Sequence, residues 1–142
     1  MTNREAYIAL NALPEIGPVR IKQLLMFFDG PAEILKASRE ELCRISGIGE
    51  RRAEILVNWE QHADLTNEMR FAQKAGVTVV TQADEAYPSL LREITDPPLC
   101  LYVRGEQGVL ANSGHSIAMV GTRRGTNYGS RMAESLARAA AY

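Results

Sequence analysis

Two stretches near the beginning of the chain repeat one pattern of apolar and polar positions. Residues 10–17 and 42–49, offset by 32 positions, each have apolar residues three apart, then a turn residue and an Ile-Gly pair. An amphipathic stretch with apolar positions at helical spacing follows each of them. Because glycine permits positive φ, the chain can reverse direction there. The pattern predicts a helix, a tight turn and a helix, used twice, with Ile16 and Ile48 buried in the core.

Other signals extend the helical pattern around the second copy. Ser38 and Glu41 have the spacing of a capping box, in which each side chain bonds the other residue's backbone N–H. A polar helical stretch after Trp59 is predicted to end at Gly76, because glycine is common just beyond a helix. We therefore expect residues 1–66 to form an all-α domain, which the polar stretch connects to a second domain.

The pattern changes from helical to extended after Gly76. Runs of β-branched and apolar residues predict strands at 77–81, 99–105 and 116–120. The last run is apolar throughout, which is typical of a buried parallel strand. A helix over 128–142 follows it, with Met132 and Leu136 predicted to face inward. Because a strand, a glycine-rich turn and a helix open a Rossmann-like unit, residues 67–142 are predicted to begin such a domain in a chain that is α+β overall.

The glycine-rich turn before the last helix is the main candidate for binding phosphate. Its glycines, at positions 121, 125 and 129, do not have the spacing of the dinucleotide-binding fingerprint. Small residues, hydroxyls and two arginines nevertheless precede a helix whose backbone N–H groups can hold an anion. The predicted phosphate-binding residues are Gly121, Thr122, Arg123, Arg124, Thr126 and Gly129. The alternative is an ordinary tight turn that carries surface arginines.

The second hairpin is a further candidate for the same chemistry. Its bare backbone would let a phosphate approach the N-terminus of the following helix. The possible site consists of Gly47, Gly49, Arg51 and Arg52. Glu50 opposes an anion here, as Glu15 does in the first copy. The alternative is a helical packing module that keeps the hairpin geometry without a ligand.

Charge and composition narrow the classes of function. The net charge of −1 conceals a basic final segment, since residues 104–142 hold five arginines and two glutamates. Arginine suits phosphate, so a polyanionic partner at that end is one interpretation of this charge, and a solvated helix face is the alternative. We expect no membrane span and no signal peptide, because the apolar runs are too short. Cys43 and Cys100 lie 57 positions apart and are expected to be reduced core residues, so neither a disulfide, a metal site nor a cofactor is predicted.

Several motifs resemble one protein family. The residues that carry the resemblance in the last third are Tyr87-Pro88-x-x-Leu91, Asp96-Pro97-Pro98, Leu101-Tyr102-Val103-Arg104-Gly105, and Ile117 followed by Gly121-Thr122-Arg123, Thr126 and Tyr128-Gly129. They are similar to those of the DprA/Smf family of bacterial DNA-processing proteins. The repeats resemble helix-hairpin-helix motifs, paired as in SAM-like domains. The resemblance implies a SAM-like helical domain followed by an extended Rossmann fold.

The family resemblance also implies a function. It implies a protein that binds single-stranded DNA, protects incoming strands and helps load the RecA recombinase during natural transformation, without catalysis. It places Gly121-Thr122-Arg123 in a basic pocket for DNA phosphates. A cytoplasmic protein that is a homodimer in its full length is expected. Because family members continue well beyond this length, the chain is expected to be an N-terminal fragment.

Two other classes of function stay open at this point. One is a nucleotide-acting enzyme, since Rossmann relatives include phosphoribohydrolases. That chemistry needs a carboxylate near the phosphate turn, and Glu134 is the only acid after Glu106, so no catalytic residue is predicted. The other is a SAM-like protein-interaction module. It is favoured by the acidic balance of residues 1–66, which hold ten acidic and eight basic side chains.

Overall fold

The computed structural model describes residues 1–105, 108, 117 and 119–140. In this part of the chain, helices lie before, between and after the two strands of a small sheet. The helices are α1 (Asn3–Ala12), α2 (Pro18–Leu24), α3 (Pro31–Ile34), α4 (Arg39–Cys43), α5 (Glu50–Val57), α6 (Leu65–Lys74), α7 (Ser89–Arg92) and α8 (Asn127–Ala140). The strands are β1 (Thr78–Thr81) and β2 (Cys100–Val103). The α+β class is confirmed, and the described strands begin only after Gly76, as predicted.

The two predicted hairpins form where the repeat places them. One turn joins α1 to α2, and the other joins α4 to α5. Glu15, with φ 62°, and Gly47, with φ 82°, occupy equivalent positions and hold the left-handed conformation that reverses the chain. Gly17 and Gly49 then precede α2 and α5 in extended conformation. Both copies therefore use the same backbone path, although only the second has glycine at the left-handed position.

Both turns are anchored in one hydrophobic core. Ile16 and Ile48 are 4% and 2% exposed, so their predicted burial is confirmed. Residues 6–10 of α1 are all buried, which makes α1 the central helix. The largest fully buried apolar side chains around it are Ile8, Leu10, Ile21, Leu24, Ile34, Leu42 and Leu56. The core therefore joins both hairpins into one body.

Capping hydrogen bonds set the beginnings of several helices. Ser38 and Glu41 form the predicted capping box at α4. Hydrogen bonds from the backbone and the hydroxyl of Ser38 hold the pKa of the Glu41 carboxyl below its usual range. The predicted continuous helix after Trp59 is wrong, because a 3₁₀ turn comes first and α6 begins only after Asp64. An oxygen of Asp64 accepts the backbone N–H of Asn67 at 2.9 Å, and this cap starts a new helix.

The sheet packs against the helical core. β1 and β2 pair antiparallel, with Thr78 opposite Val103. Val79, Leu99 and Cys100 belong to the same hydrophobic cluster as the helices, and α1 and α6 both contact β1. The helices and the two strands thus share one core. The predicted division into a domain of residues 1–66 and another of 67–142 stays a prediction.

The connection between the two strands is held by side-chain hydrogen bonds to its own backbone. Tyr87 is buried, and its hydroxyl donates to the carbonyl of Pro98 at 2.7 Å. The amide nitrogen of Gln82 donates to the carbonyls of Pro97 and Pro98, each at 3.0 Å. The guanidinium of Arg92 lies 4.8 Å from the centre of the Tyr87 ring. Two of the family-like motifs therefore form a structural clamp between β1 and β2.

The third predicted strand does not form in the described residues. Ser116 and Ala118 lie outside them. Ile117, Met119 and Val120 have no regular secondary structure and are 74%, 48% and 95% exposed, so their predicted burial is wrong. A parallel strand needs a neighbouring strand for its hydrogen bonds. In the described part of the chain β1 and β2 pair only with each other.

The last helix is confirmed, but its predicted burial is wrong. α8 covers Asn127–Ala140, while residues 141 and 142 lie outside the described residues. Met132 is 42% exposed and Leu136 is 56% exposed. The apolar stripe predicted from the sequence is present, but no described element covers it.

The buried isoleucine of the second turn gives a test of the hairpin. Ile48→Ala should lower the free energy of unfolding by about 2–4 kcal/mol, because truncation leaves a cavity beneath the turn. Val19 is 55% exposed, and Val19→Ala, the control, should change it by less than about 0.5 kcal/mol. Urea unfolding followed by circular dichroism measures both. Equal effects would contradict an anchoring role for Ile48.

The two cysteines differ in environment, which corrects the expectation that both are core residues. Both are reduced, but Cys43 is exposed and only Cys100 is buried. Burial raises the pKa of the Cys100 thiol to about 12. A thiol reagent at pH 8 should therefore modify one cysteine in the native chain and both in urea, because reaction needs an accessible thiolate. Modification of Cys100 in the native chain would contradict this prediction and would show that the residues that bury Cys100 move apart.

Candidate nucleic-acid interface

The glycine-rich turn before α8 is built by its own hydroxyl groups. The hydroxyl of Thr122 donates to the carbonyl of Arg124 at 2.7 Å, which closes the turn. The hydroxyl of Thr126 accepts the backbone N–H of Gly129 at 3.1 Å, so Thr126 acts as the N-cap of α8. The threonines predicted as phosphate ligands therefore also shape the turn.

The same turn presents cationic side chains to solvent. Arg123 and Arg124 are exposed, and their guanidinium groups have no hydrogen bond or ion pair within the described residues. They stand directly before α8, whose N-terminus carries partial positive charge. Gly121 has open space beside its backbone, while an added Cβ at Gly125 would lie 3.6 Å from the hydroxyl oxygen of Ser130. The arrangement can bind an anion by charge and by donated hydrogen bonds together.

In the second hairpin, the two arginines predicted to bind phosphate contact other residues of the same chain. The side chain of Arg51 forms an ion pair with the carboxylate of Glu15 in the first hairpin. Arg52 donates to the carbonyl of Glu15 at 3.3 Å and to the carbonyl of Gly47 at 3.1 Å. The structure thus brings Gly47 and Arg52 together, but it directs both arginines to the turns. Phosphate binding by Gly49 and its neighbours stays a prediction.

Side chains that follow the first turn, on α2, in turn contact the second hairpin. The amide nitrogen of Gln23 on α2 donates to the carbonyl of Ser46 at 2.6 Å. The guanidinium of Arg20 donates to Gln23 at 3.1 Å and lies against Gly47, where a Cβ would be 2.7 Å from it. Arg20 and Arg52 occupy equivalent positions in the two copies. Each copy therefore braces the turn of the other.

A surface between α6 and β2 escaped the sequence analysis. The hydroxyl of Tyr102 donates to the carboxylate of Glu68 at 2.6 Å. Burial raises the pKa of the Tyr102 phenol, and this hydrogen bond raises it further. Two residues along, Arg104 donates to the carbonyl of Ala75 at 3.0 Å. The spacing of Tyr102 and Arg104 on one strand face was the available signal, but it does not identify the helix they meet.

Metal ligands, histidines and membrane-spanning helices would indicate other kinds of site in the described part of the chain. It contains no group of three or more His, Cys, Asp or Glu side chains that could hold a metal ion. His62 is exposed, and His115 lies outside the described residues. Among the helices that the structure describes, none is both long and apolar enough to cross a membrane.

The paired hairpins and the segment after them define the class of protein. Residues 7–58 match the family described as SAM-like helix-hairpin-helix tandem. Residues 78–142 match the family described as DNA recombination-mediator protein A. The chain therefore combines a segment similar to helix-hairpin-helix tandems with a segment similar to DNA recombination-mediator proteins.

Two curated relatives support the same assignment. The chain is 28% identical to Protein Smf of Synechocystis sp. over 143 aligned positions, which cover 98% of this chain and 36% of that protein. It is 33% identical to DNA processing protein DprA of Bacillus subtilis over 64 positions, which cover 45% of this chain and 21% of that protein. Together these matches support the resemblance of the chain to the DprA/Smf family. It spans about a third of the length of the Synechocystis relative.

The contacts of Arg52 predict a role in stability rather than in DNA binding. Arg52→Ala removes hydrogen bonds to two carbonyls, so it should lower the free energy of unfolding by about 1–2 kcal/mol. Affinity for single-stranded DNA should stay within about twofold. Arg44→Ala is the matched control, since the exposed guanidinium of Arg44 makes no hydrogen bond within the described residues. Thermal unfolding and fluorescence anisotropy measure the two effects, and a large loss of affinity with unchanged stability would contradict this assignment.

Proposed function

We propose that this protein binds single-stranded DNA without regard to sequence, protects it and helps load a RecA-type recombinase onto it in natural transformation. The names of the matching family and of the Bacillus relative, which refer to DNA recombination and DNA processing, support this proposal. Because the chain spans about a third of the Synechocystis relative, the activity is proposed for the intact protein rather than for these residues alone.

The observation that carries the proposal is the pair of unpaired guanidinium groups before α8. Arg123 and Arg124 meet no carboxylate within the described residues. A phosphate at the turn would meet two positive charges and the dipole of a helix of 14 residues. The open space beside Gly121 would let its oxygens approach the backbone. Phosphate contacts position a nucleic acid without reading bases, so binding by this turn would be independent of sequence.

The Rossmann-like part of the fold belongs to the same proposal. The run 117–120 and α8 expose apolar side chains, and Val120 is 95% exposed. Parallel strands beside this run, with α8 on the sheet, would cover both. We expect the intact protein to be a cytoplasmic homodimer, as the family resemblance implies.

A protein-docking role for the helical part is the second candidate function. It is favoured by the contacts of Arg51 and Arg52, because cations already bound to Glu15 and to the turns are poorly placed to recruit DNA. The acidic balance of residues 1–66 points the same way. In this proposal the tandem hairpins hold partners, while the turn before α8 holds DNA.

The proposal assigns no catalytic residue. Glu134 lies about two turns into α8 and forms an ion pair with Arg138 at 2.6 Å. A general acid or base has to reach the reacting proton within hydrogen-bond distance. We therefore expect no turnover of nucleoside monophosphates by the intact protein, the activity that a Rossmann-like enzyme would have.

Arg123 provides the test of the phosphate turn. In the intact protein, Arg123→Ala should weaken binding to single strands of every sequence by a similar factor. The dependence of log affinity on log salt should become shallower by about 0.7, which corresponds to one phosphate contact on a single strand. Fluorescence anisotropy with dT, dA and mixed strands at several salt concentrations measures both quantities.

Arg138→Ala is the matched control on the same helix, because Arg138 is exposed but already paired with Glu134. It should change the affinity and the salt dependence much less than Arg123→Ala. Folding should be unaffected in both variants, since both side chains are exposed. Unchanged affinity and salt dependence in folded Arg123→Ala protein would contradict phosphate binding by Arg123 and would mean that the turn has a structural role only.

A further inference from the structure

Two exposed aromatic side chains lie on α6 and β2, which the hydrogen bond from Tyr102 to Glu68 joins. Phe71 on α6 is 60% exposed, and Tyr102 on β2 is 48% exposed. Glu68, Phe71 and Ala75 are spaced i, i+3 and i+7, so they share one side of α6. Tyr102 bonds Glu68 at one end of this stripe, and Arg104 bonds Ala75 at the other. Phe71 therefore lies between the two points where β2 meets α6.

Cations border this aromatic pair. The guanidinium of Arg70 lies 5.5 Å from the centre of the Phe71 ring. Lys74 is exposed in the last turn of α6, and its ammonium group has no partner within the described residues. Arg104 is exposed beside the helix end. We name this surface, formed by Phe71, Tyr102, Arg70, Lys74 and Arg104, the α6–β2 aromatic face.

The acidic groups beside this face are engaged in hydrogen bonds. Glu68 accepts from the hydroxyl of Tyr102, and Asp64 caps α6 by accepting from Asn67. Among the cations, Arg70 donates to the side-chain oxygen of Asn67 at 2.6 Å and Arg104 donates to Ala75. The open groups at the face are therefore two aromatic rings and the ammonium group of Lys74. These groups complement a nucleotide, whose base can stack on a ring while its phosphate meets the ammonium group of Lys74.

We propose that the α6–β2 aromatic face stacks unpaired bases of single-stranded DNA. This inference rests on the proposed function and adds a second contact, separate in sequence from the phosphate turn before α8. The Tyr102 hydroxyl is tied to Glu68, which orients its ring. Every base has a stacking face, so this contact would tolerate any sequence, as the phosphate contact does. A protein partner for the same face is the competing outcome of the test.

Comparing a dT strand with an abasic strand of equal length separates stacking from charge. Phe71→Ala in the intact protein should weaken binding to a dT 20-mer about tenfold and leave binding to the abasic 20-mer unchanged. Phe71→Trp should retain the affinity, and its fluorescence should be quenched by the dT strand more than that of the parent protein, in which Trp59 is the background emitter of this chain. Phe27→Ala is the matched control, since Phe27 is 64% exposed on another part of the surface.

The outcomes separate this inference from the proposed function. If the parent protein binds dT but folded Phe71→Ala binds it equally well, the aromatic face is not a base-stacking site while the proposed function stands. Equal losses on dT and abasic strands, or a change only in self-association or in binding of a protein partner, would also overturn the inference. A parent protein that binds neither strand would overturn both proposals.

Discussion

The helical part of this protein depends on two chain reversals that brace each other. Each turn passes through one residue with positive φ, Glu15 or Gly47, and buries one isoleucine beneath it. Side chains of each copy then bond the turn of the other, with Arg52 reaching the carbonyl of Glu15 and Gln23 reaching that of Ser46. Because turn carbonyls cannot be satisfied within a helix, these cross-contacts supply their hydrogen bonds and fix the angle between the copies. The position of the central helix α1 follows from this arrangement.

The distribution of cations follows from the same bracing. In the hairpins, arginines meet carbonyls and a carboxylate and contribute to the fold. Before α8, Arg123 and Arg124 meet neither among the residues that the structure describes. An arginine that is already bonded must lose those bonds to bind phosphate, whereas an unpaired one loses only its hydration. This difference, rather than the number of arginines, is the physical reason for proposing the later turn as the DNA contact.

Helix α6 links the helical core to the strands. Its buried side includes Ala72 and belongs to the common hydrophobic cluster, while its C-terminal carbonyl at Ala75 accepts from Arg104 beyond β2. Arg4 on α1 donates to the carbonyl of Val79 within β1 at 2.8 Å, and it pairs at 3.4 Å with Asp84, which follows the opposite end of that strand. The two strands are therefore attached at both ends, and a surface across α6 and β2 can present rings and cations in fixed positions.

Local sequence determined the features that depend on backbone chemistry and periodicity. The offset of 32 positions, the isoleucines at 16 and 48 and the capping box at Ser38 predict the hairpins correctly, because turn conformation and burial period are local properties. Tertiary structure alone decided which arginines are occupied, how Tyr102 meets Glu68, and that β1 and β2 pair with each other. It also decided that Ile117, Met119, Val120 and the apolar stripe of α8 are exposed in the described chain. An apolar pattern marks a face that can be buried, but whether it is buried depends on a neighbouring element that the pattern does not contain.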